Sequence, residues 1–217
     1  MSMFKKALGC VAFGLFLMPL SAQAASLTIV NVSAHAIDCA FNPTCMIAPT
    51  NFASTITIPG VGGTAQLHTR TYLGVTGAPG AGKTAYAYRV DLTQATPTTA
   101  AAINCVKQLI LDIGPVAKLP YLAATATHGP INADVFVITT GGPGTIGLSS
   151  AVQLGNLITF TFSTPICPGT PTAAAPIGGK SSFLFGLAAP TAPKPSIAKL
   201  MFTLGGSATA ATRVPIH

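Results

Sequence analysis

The amino-acid sequence predicts an all-β fold, an antiparallel β-sandwich of about ten short strands stapled by disulfides. Three observations carry this expectation. Apolar and polar residues alternate in short runs bounded by Gly, Pro, Asn and Ser, the period of half-buried strands. Gly, Pro and Thr interrupt every window long enough for three helical turns. The composition is 49% hydrophobic and 7% charged with 22 Gly and 18 Pro, which excludes the charge-rich chemistry of disordered chains and the heptads of coiled coils.

The first element is a leader over residues 1–24. Lys5 and Lys6 precede an apolar stretch at 7–20, and Ala22, Gln23 and Ala24 supply the small residues of a signal-peptidase site. Cleavage after Ala24 predicts export to the periplasm, the cell surface or the extracellular space. The apolar stretch is shorter than the roughly 20 residues a spanning helix needs. Cys10 precedes most of that stretch, which argues against a lipoprotein anchor. Residues 25–217 are expected to form a single sandwich domain with no transmembrane span.

Strands are expected in turn at 27–33, 52–58, 66–74, 85–93, 103–112, 134–140, 145–148, 157–163, 182–187 and 199–204, with a last edge strand at 211–214. Loops are expected at 94–102, rich in Thr and Ala, and at 168–179, rich in Pro, Ala and Gly. The clusters at 141–144 and Gly155-Asn156 read as turns, because Gly and Asn tolerate positive φ.

The strands at 66–74 and 85–93 form a hairpin. Leu67, Thr69, Thr71 and Leu73 face the core with Tyr86, Tyr88, Val90 and Leu92. Gln66, His68, Arg70 and Tyr72 face outward. Registers two residues apart preserve those faces, so charge must choose between them, and Arg70 is expected opposite Asp91. Tyr72 then reads as a surface tyrosine beside His68 and Arg70, a small ligand patch. With Trp absent, Tyr72 and Tyr121 are the aromatic residues left for a saccharide platform.

Beyond the leader stand Cys39, Cys45, Cys105 and Cys167, an even number that predicts two disulfides in an exported chain. Asn42-Pro43 supplies a turn between Cys39 and Cys45, leaving Cys105 to reach Cys167 across the domain. A four-thiolate zinc site is disfavoured because no Cys-x-x-Cys knuckle is present.

Removing Lys5 and Lys6 takes the formal charge from +7 to +5, with nine Lys and Arg against four Asp and no Glu. The basic residues are scattered without a run or stripe, which argues against nucleic acid. A surface or matrix protein, or a polysaccharide, is the expected class of partner.

Residues 77–84 read GAPGAGKT, which resembles the Walker A loop of P-loop NTPases. That resemblance implies phosphate cradled by backbone N–H groups, with Lys83 on the outer phosphates and Thr84 on magnesium. Leu109, Ile110, Leu111 and Asp112 imitate the accompanying Walker B strand. The resemblance covers eight residues, and the chain after Thr84 alternates as a strand where a helix is required. The loop is expected to be a Gly-rich hairpin connection, and no cofactor is assigned.

Acid–base groups are few: His35, His68, His128 and His217 with Asp38, Asp91, Asp112 and Asp134. There is no Gly-x-Ser-x-Gly elbow and no His-Glu-x-x-His helix. His35 and Asp38 read as turn residues beside Cys39, and His68 as a solvated histidine. No catalytic, cofactor-binding or metal residues are assigned. The expected function is non-catalytic binding or assembly at the cell surface or in the extracellular matrix. The alternative is a secreted hydrolase with a Ser/His/Asp-type site. An outer-membrane barrel is disfavoured for want of aromatic girdles.

Overall fold

A computed structural model describes residues 23–98, 103–124, 129–169 and 180–217. The leader as far as residue 22, with Cys10, lies outside the described residues, as do His128 and parts of both expected loops.

Fourteen strands and one helix occur among the described residues, and the strands build two six-stranded sheets. Sheet A runs β1 (Ala25–Ser26), β10 (Leu148–Leu154), β11 (Leu157–Ile166), β6 (Val106–Asp112), β13 (Pro193–Phe202) and β14 (Ser207–Pro215). Sheet B runs β2 (Ile29–Ser33), β9 (Val135–Thr140), β12 (Leu184–Ala189), β5 (Thr84–Pro97), β4 (Val61–Leu73) and β3 (Thr50–Thr55). β7 (Leu119–Tyr121) and β8 (Ile131–Ala133) form a separate ribbon. The pairings are antiparallel except for β2 with β9, which run parallel. The sandwich is therefore mixed along one edge.

Alternating side chains of both sheets fill one core, with Leu67, Tyr86, Tyr88, Leu109, Phe160, Phe185 and Phe202 buried in it. Each Tyr or Phe buried here removes 150–250 Å² from water, so such residues dominate the folding energy. Of the two threonines on the inner face of β4, Thr69 finds a polar partner in the core. Thr69 is buried with its hydroxyl 2.8 Å from that of Thr212 on β14. Tyr86 donates to the Thr191 carbonyl at 2.7 Å and Tyr88 to the Arg213 carbonyl at 2.9 Å. These bonds satisfy buried polar atoms, and while that of Tyr86 reaches the β12–β13 connection, that of Tyr88 ties sheet B to β14 at the edge of sheet A.

Register corrects one expectation. Arg70 stands opposite Ala87, and Asp91 opposite Gln66, so the Arg70–Asp91 pair does not form. Packing of Leu67 against Val90 and of Thr69 against Tyr88 selects the register. An exposed ion pair contributes at most about 1 kcal/mol, less than burying one large side chain. Gly63, at φ 74, lies beside a register shift between Thr64 and Gln66 that extends β4 past its expected start. Asp91 instead pairs with Arg89, two residues away on its own strand.

The outer face of sheet B is not open. Helix α1 (Ala34–Phe41) and the β7–β8 ribbon cover much of it, making a second core from Val32, Ile37, Phe41, Tyr72, Tyr121 and Phe136. This corrects two expectations together. Tyr72 is 8% exposed with its ring 5.1 Å edge-on from Phe41, and Tyr121 is fully buried, so neither is a platform. The Ser33 side chain caps α1 by accepting from the Ala36 N–H at 3.1 Å, and Ala36, Ile37, Ala40 and Phe41 form its buried stripe.

The cysteines pair as Cys39–Cys45 and Cys105–Cys167. The first joins the last turn of α1 to the following loop. The second closes the end of the β6–β11 ladder, where Val106 faces Ile166.

Candidate functional site

Rows of side chains cross the outer face of sheet B at right angles to its strands. One row runs Asn51, Arg70, Ala87, Gly186 and Phe136; the neighbouring one includes Ala53, His68 and Arg89. Ala87 and Gly186 lower the floor of the first row. Larger residues are excluded at Gly186, where a Cβ would lie 2.1 Å from the Tyr86 carbonyl oxygen. Ala87 and Gly186 are themselves buried, and two cavities open beside this low floor.

The first cavity, about 300 Å³, is lined by Asn51, Ala53, His68, Arg70, Arg89 and Leu184 among others. The second, about 240 Å³, is walled by Ile37 and Asp38 of α1, Ile47, Tyr72, Pro143 and Leu184. Arg70 and Leu184 line both. The cavities are therefore neighbours on one surface, one lined by cations and the other by apolar side chains together with Asp38, with the Arg70 guanidinium shared between them.

The charges are unevenly committed. Arg89 is bonded to Asp91, whose other oxygen accepts from the Thr93 N–H at 3.0 Å and from its hydroxyl at 2.7 Å. His68 Nε2 lies 3.6 Å from Asp91, beyond hydrogen-bond distance, and is buried without a partner among the described residues. Burial, then Arg89 and Arg70, hold the His68 imidazole below its ordinary pKa of 6.5. Burial raises the Asp38 carboxyl above its ordinary 3.8, and His35 opposes that shift. Arg70 has neither an ion-pair partner nor a side-chain hydrogen bond among the described residues.

His68 and Asp91 thus come together, but no hydroxyl completes a triad among the described residues. The nearby Thr69 is directed into the core toward Thr212. His217 pairs separately with Asp112 at 3.0 Å, at the end of the Walker B-like strand. His35 is carried on α1, correcting its expected place in a turn, with Nε2 3.6 Å from Cys39 Sγ. His35, Cys39 and Cys45 cluster as potential metal ligands, but both sulfurs are joined to each other in the disulfide.

The GAPGAGKT segment leads into a strand, since Thr84 opens β5. Its N–H groups serve the fold: Gly80 donates to the Ala40 carbonyl at 2.8 Å, and the preceding Val75 to that of Phe41 at 2.9 Å. A Cβ on Gly80 would meet the Phe41 ring at 2.7 Å. The glycine permits close approach of the loop to the end of α1, a reason unrelated to phosphate.

Sequence reasoning put His68, Arg70 and Arg89 on outward faces and named Asp38, though in a turn and not on α1, but missed Asn51 and Leu184. Alternation with Tyr86 and Tyr88 placed Arg89; Asn51 and Leu184 depend on long-range neighbours. Comparison with protein-family models, curated proteins and solved structures finds no match.

Proposed function

We propose that this protein is exported and acts without catalysis, binding an anionic partner of the cell surface or extracellular matrix on the outer face of sheet B. The observation that carries the reading is Arg70, a half-buried guanidinium at the junction of two cavities whose neighbouring cation is already neutralised by Asp91. Guanidinium groups recognise carboxylates through paired, charge-assisted hydrogen bonds. Two disulfides agree with an oxidising, non-cytosolic setting, and the leader-like segment agrees with export.

Titration with oligogalacturonate, against an uncharged dextran oligomer, tests the reading. Binding confined to the acidic saccharide and weakened about tenfold or more by Arg70→Gln is expected, equal to at least ~1.4 kcal/mol. Equal binding by the variant refutes Arg70 as the anchor.

The His68–Asp91 approach favours one second reading, a hydrolase that recruits a nucleophile from elsewhere in the chain. Ester hydrolysis abolished by His68→Ala, in a variant that retains its fold, would support it.

A further inference from the structure

We propose that the joined cavities form a site for monocarboxylates bearing an apolar group, with the carboxylate on Arg70 and the apolar group in the cavity beside α1. This rests on the anionic-partner reading and specifies the ligand further.

Charge limits the anion. Arg70 and Arg89 supply two positive charges to the groove; Asp91 offsets that of Arg89 by direct contact, while Asp38 lines the second cavity without forming an ion pair with Arg70 among the described residues. His68 is held toward its neutral form. One uncompensated guanidinium matches one carboxylate, while a phosphate dianion would leave charge unpaired in a partly desolvated cleft. Asn51, directly across from Arg70, adds an amide able to donate to the same anion.

The second cavity defines the rest of the ligand. Ile37, Ile47, Tyr72, Pro143 and Leu184 give it apolar walls, with Asp38 and Arg70 as its charged lining. A ligand reaching from Arg70 into this space removes methylene groups from water. Each is worth a three- to fourfold gain in affinity until the space is filled, by the usual transfer energy of a CH₂ group. A saccharide acid carries hydroxyls there and forgoes that gain.

Two sources offer this chemistry: a free aliphatic or aromatic acid, and the C-terminus of a peptide ending in an apolar residue. The test is a calorimetric titration of the purified protein with acetate, butanoate, hexanoate and octanoate, with octanamide as the neutral control. A parallel arm uses an acetylated tripeptide ending in leucine and its C-terminal amide.

The expected result is a dissociation constant that falls with each methylene over at least part of the series, with tenfold or weaker binding of the amide. Ile47→Ser should flatten the chain-length dependence while leaving acetate unchanged. Ile47 lies in the loop after the Cys39–Cys45 bridge, and the length series on the unaltered protein needs no variant to fold. Length-dependent binding of the fatty acids alone identifies a free acid as the source. Binding of the free-carboxyl peptide alone identifies a chain terminus; either outcome supports the proposal.

Octanoate binding no tighter than acetate, while oligogalacturonate still binds through Arg70, overturns this proposal and leaves the anionic-partner reading standing. Binding of every probe independent of Arg70 overturns both.

Discussion

Removing the two disulfides separately should have opposite consequences for stability and binding. Cys105–Cys167 closes a loop with a sequence separation of 62, and Cys39–Cys45 one of 6. In the chain-entropy model those lengths correspond to about 4 and about 2 kcal/mol of stabilisation at 25 °C. With a urea slope of about 2 kcal/mol/M, replacing the long bridge by Cys105→Ala and Cys167→Ala should lower the unfolding midpoint by about 2 M. Replacing the short bridge should lower it by about 1 M. Ligand affinity should follow the reverse order. The short bridge fixes the end of α1 to the loop carrying Ile47, which walls the second cavity, whereas the long bridge lies at the far end of the β6–β11 ladder. Urea unfolding monitored by tyrosine fluorescence, with titration of each variant by octanoate, measures both quantities. A short-bridge variant destabilised as much as the long-bridge variant would refute loop length as the controlling quantity. Unchanged affinity in the short-bridge variant would refute the role given to α1 and its loop in shaping the groove.

Gly80→Ala should cost about 1–3 kcal/mol and reduce helical circular dichroism, because the added carbon meets the Phe41 ring and lies 3.0 Å from the Ala40 carbonyl oxygen. Wild-type stability in that variant would show that the loop does not buttress α1. Ser33→Ala should cost about 1 kcal/mol through loss of the N-cap, read from the urea midpoint. Lys83→Ala should leave stability within about 0.5 kcal/mol, and calorimetry with Mg-ATP should show no heat of binding for either protein. Saturable nucleotide binding abolished by that change would restore the phosphate-loop reading. His68 gives a pH dependence: its folded pKa lies below 6.5, so the unfolded chain takes up the proton first as pH falls. The stability contributed by the neutral imidazole is present above 6.5 and is lost as pH drops from there through the folded pKa, and His68→Gln should flatten that slope. An imidazole midpoint at or above 6.5 by NMR would contradict the assignment.

Where neighbours in sequence are neighbours in space, the fold was legible from residues alone. Leu154 and Leu157 pair across Gly155-Asn156, with Gly155 at φ 60, as the two-residue turn pattern implies. The expected strand at 145–148 nevertheless stopped short of β10, because the polar Ser149 and Ser150 obscure the alternation that continues to Leu154. Pro193 and Pro195 similarly hid the first half of β13. That half pairs only with β14, since β6 begins its contact at Lys199, so the missing proline N–H groups break no ladder. Helix α1 escaped notice because eight residues cannot show three turns of periodicity, although Ser33 ahead of an Ala- and Ile-bearing stripe was its signature. The same omission explains the error at Tyr72, whose outward direction was right and whose exposure depended on the elements above the sheet. In the site, the common face of His68 and Arg70 was readable from period two. The separation of Arg70 from Asp91 was not, because register was settled by core packing and not by charge.

The parallel edge of sheet B has a further consequence for how the chain acquires its shape. β2 must wait for β9, as the Thr28 N–H donates to the Asp134 carboxylate across 106 positions, and β1 closes on β10 later still. Segments near the start of the chain thus stay unpaired until well over half of it is available, a topology of high contact order that slows folding to milliseconds or longer. Under the export proposed above, such a delay would keep the polypeptide threadable through a translocation channel, and oxidation of Cys105 with Cys167 would lock the sandwich afterwards.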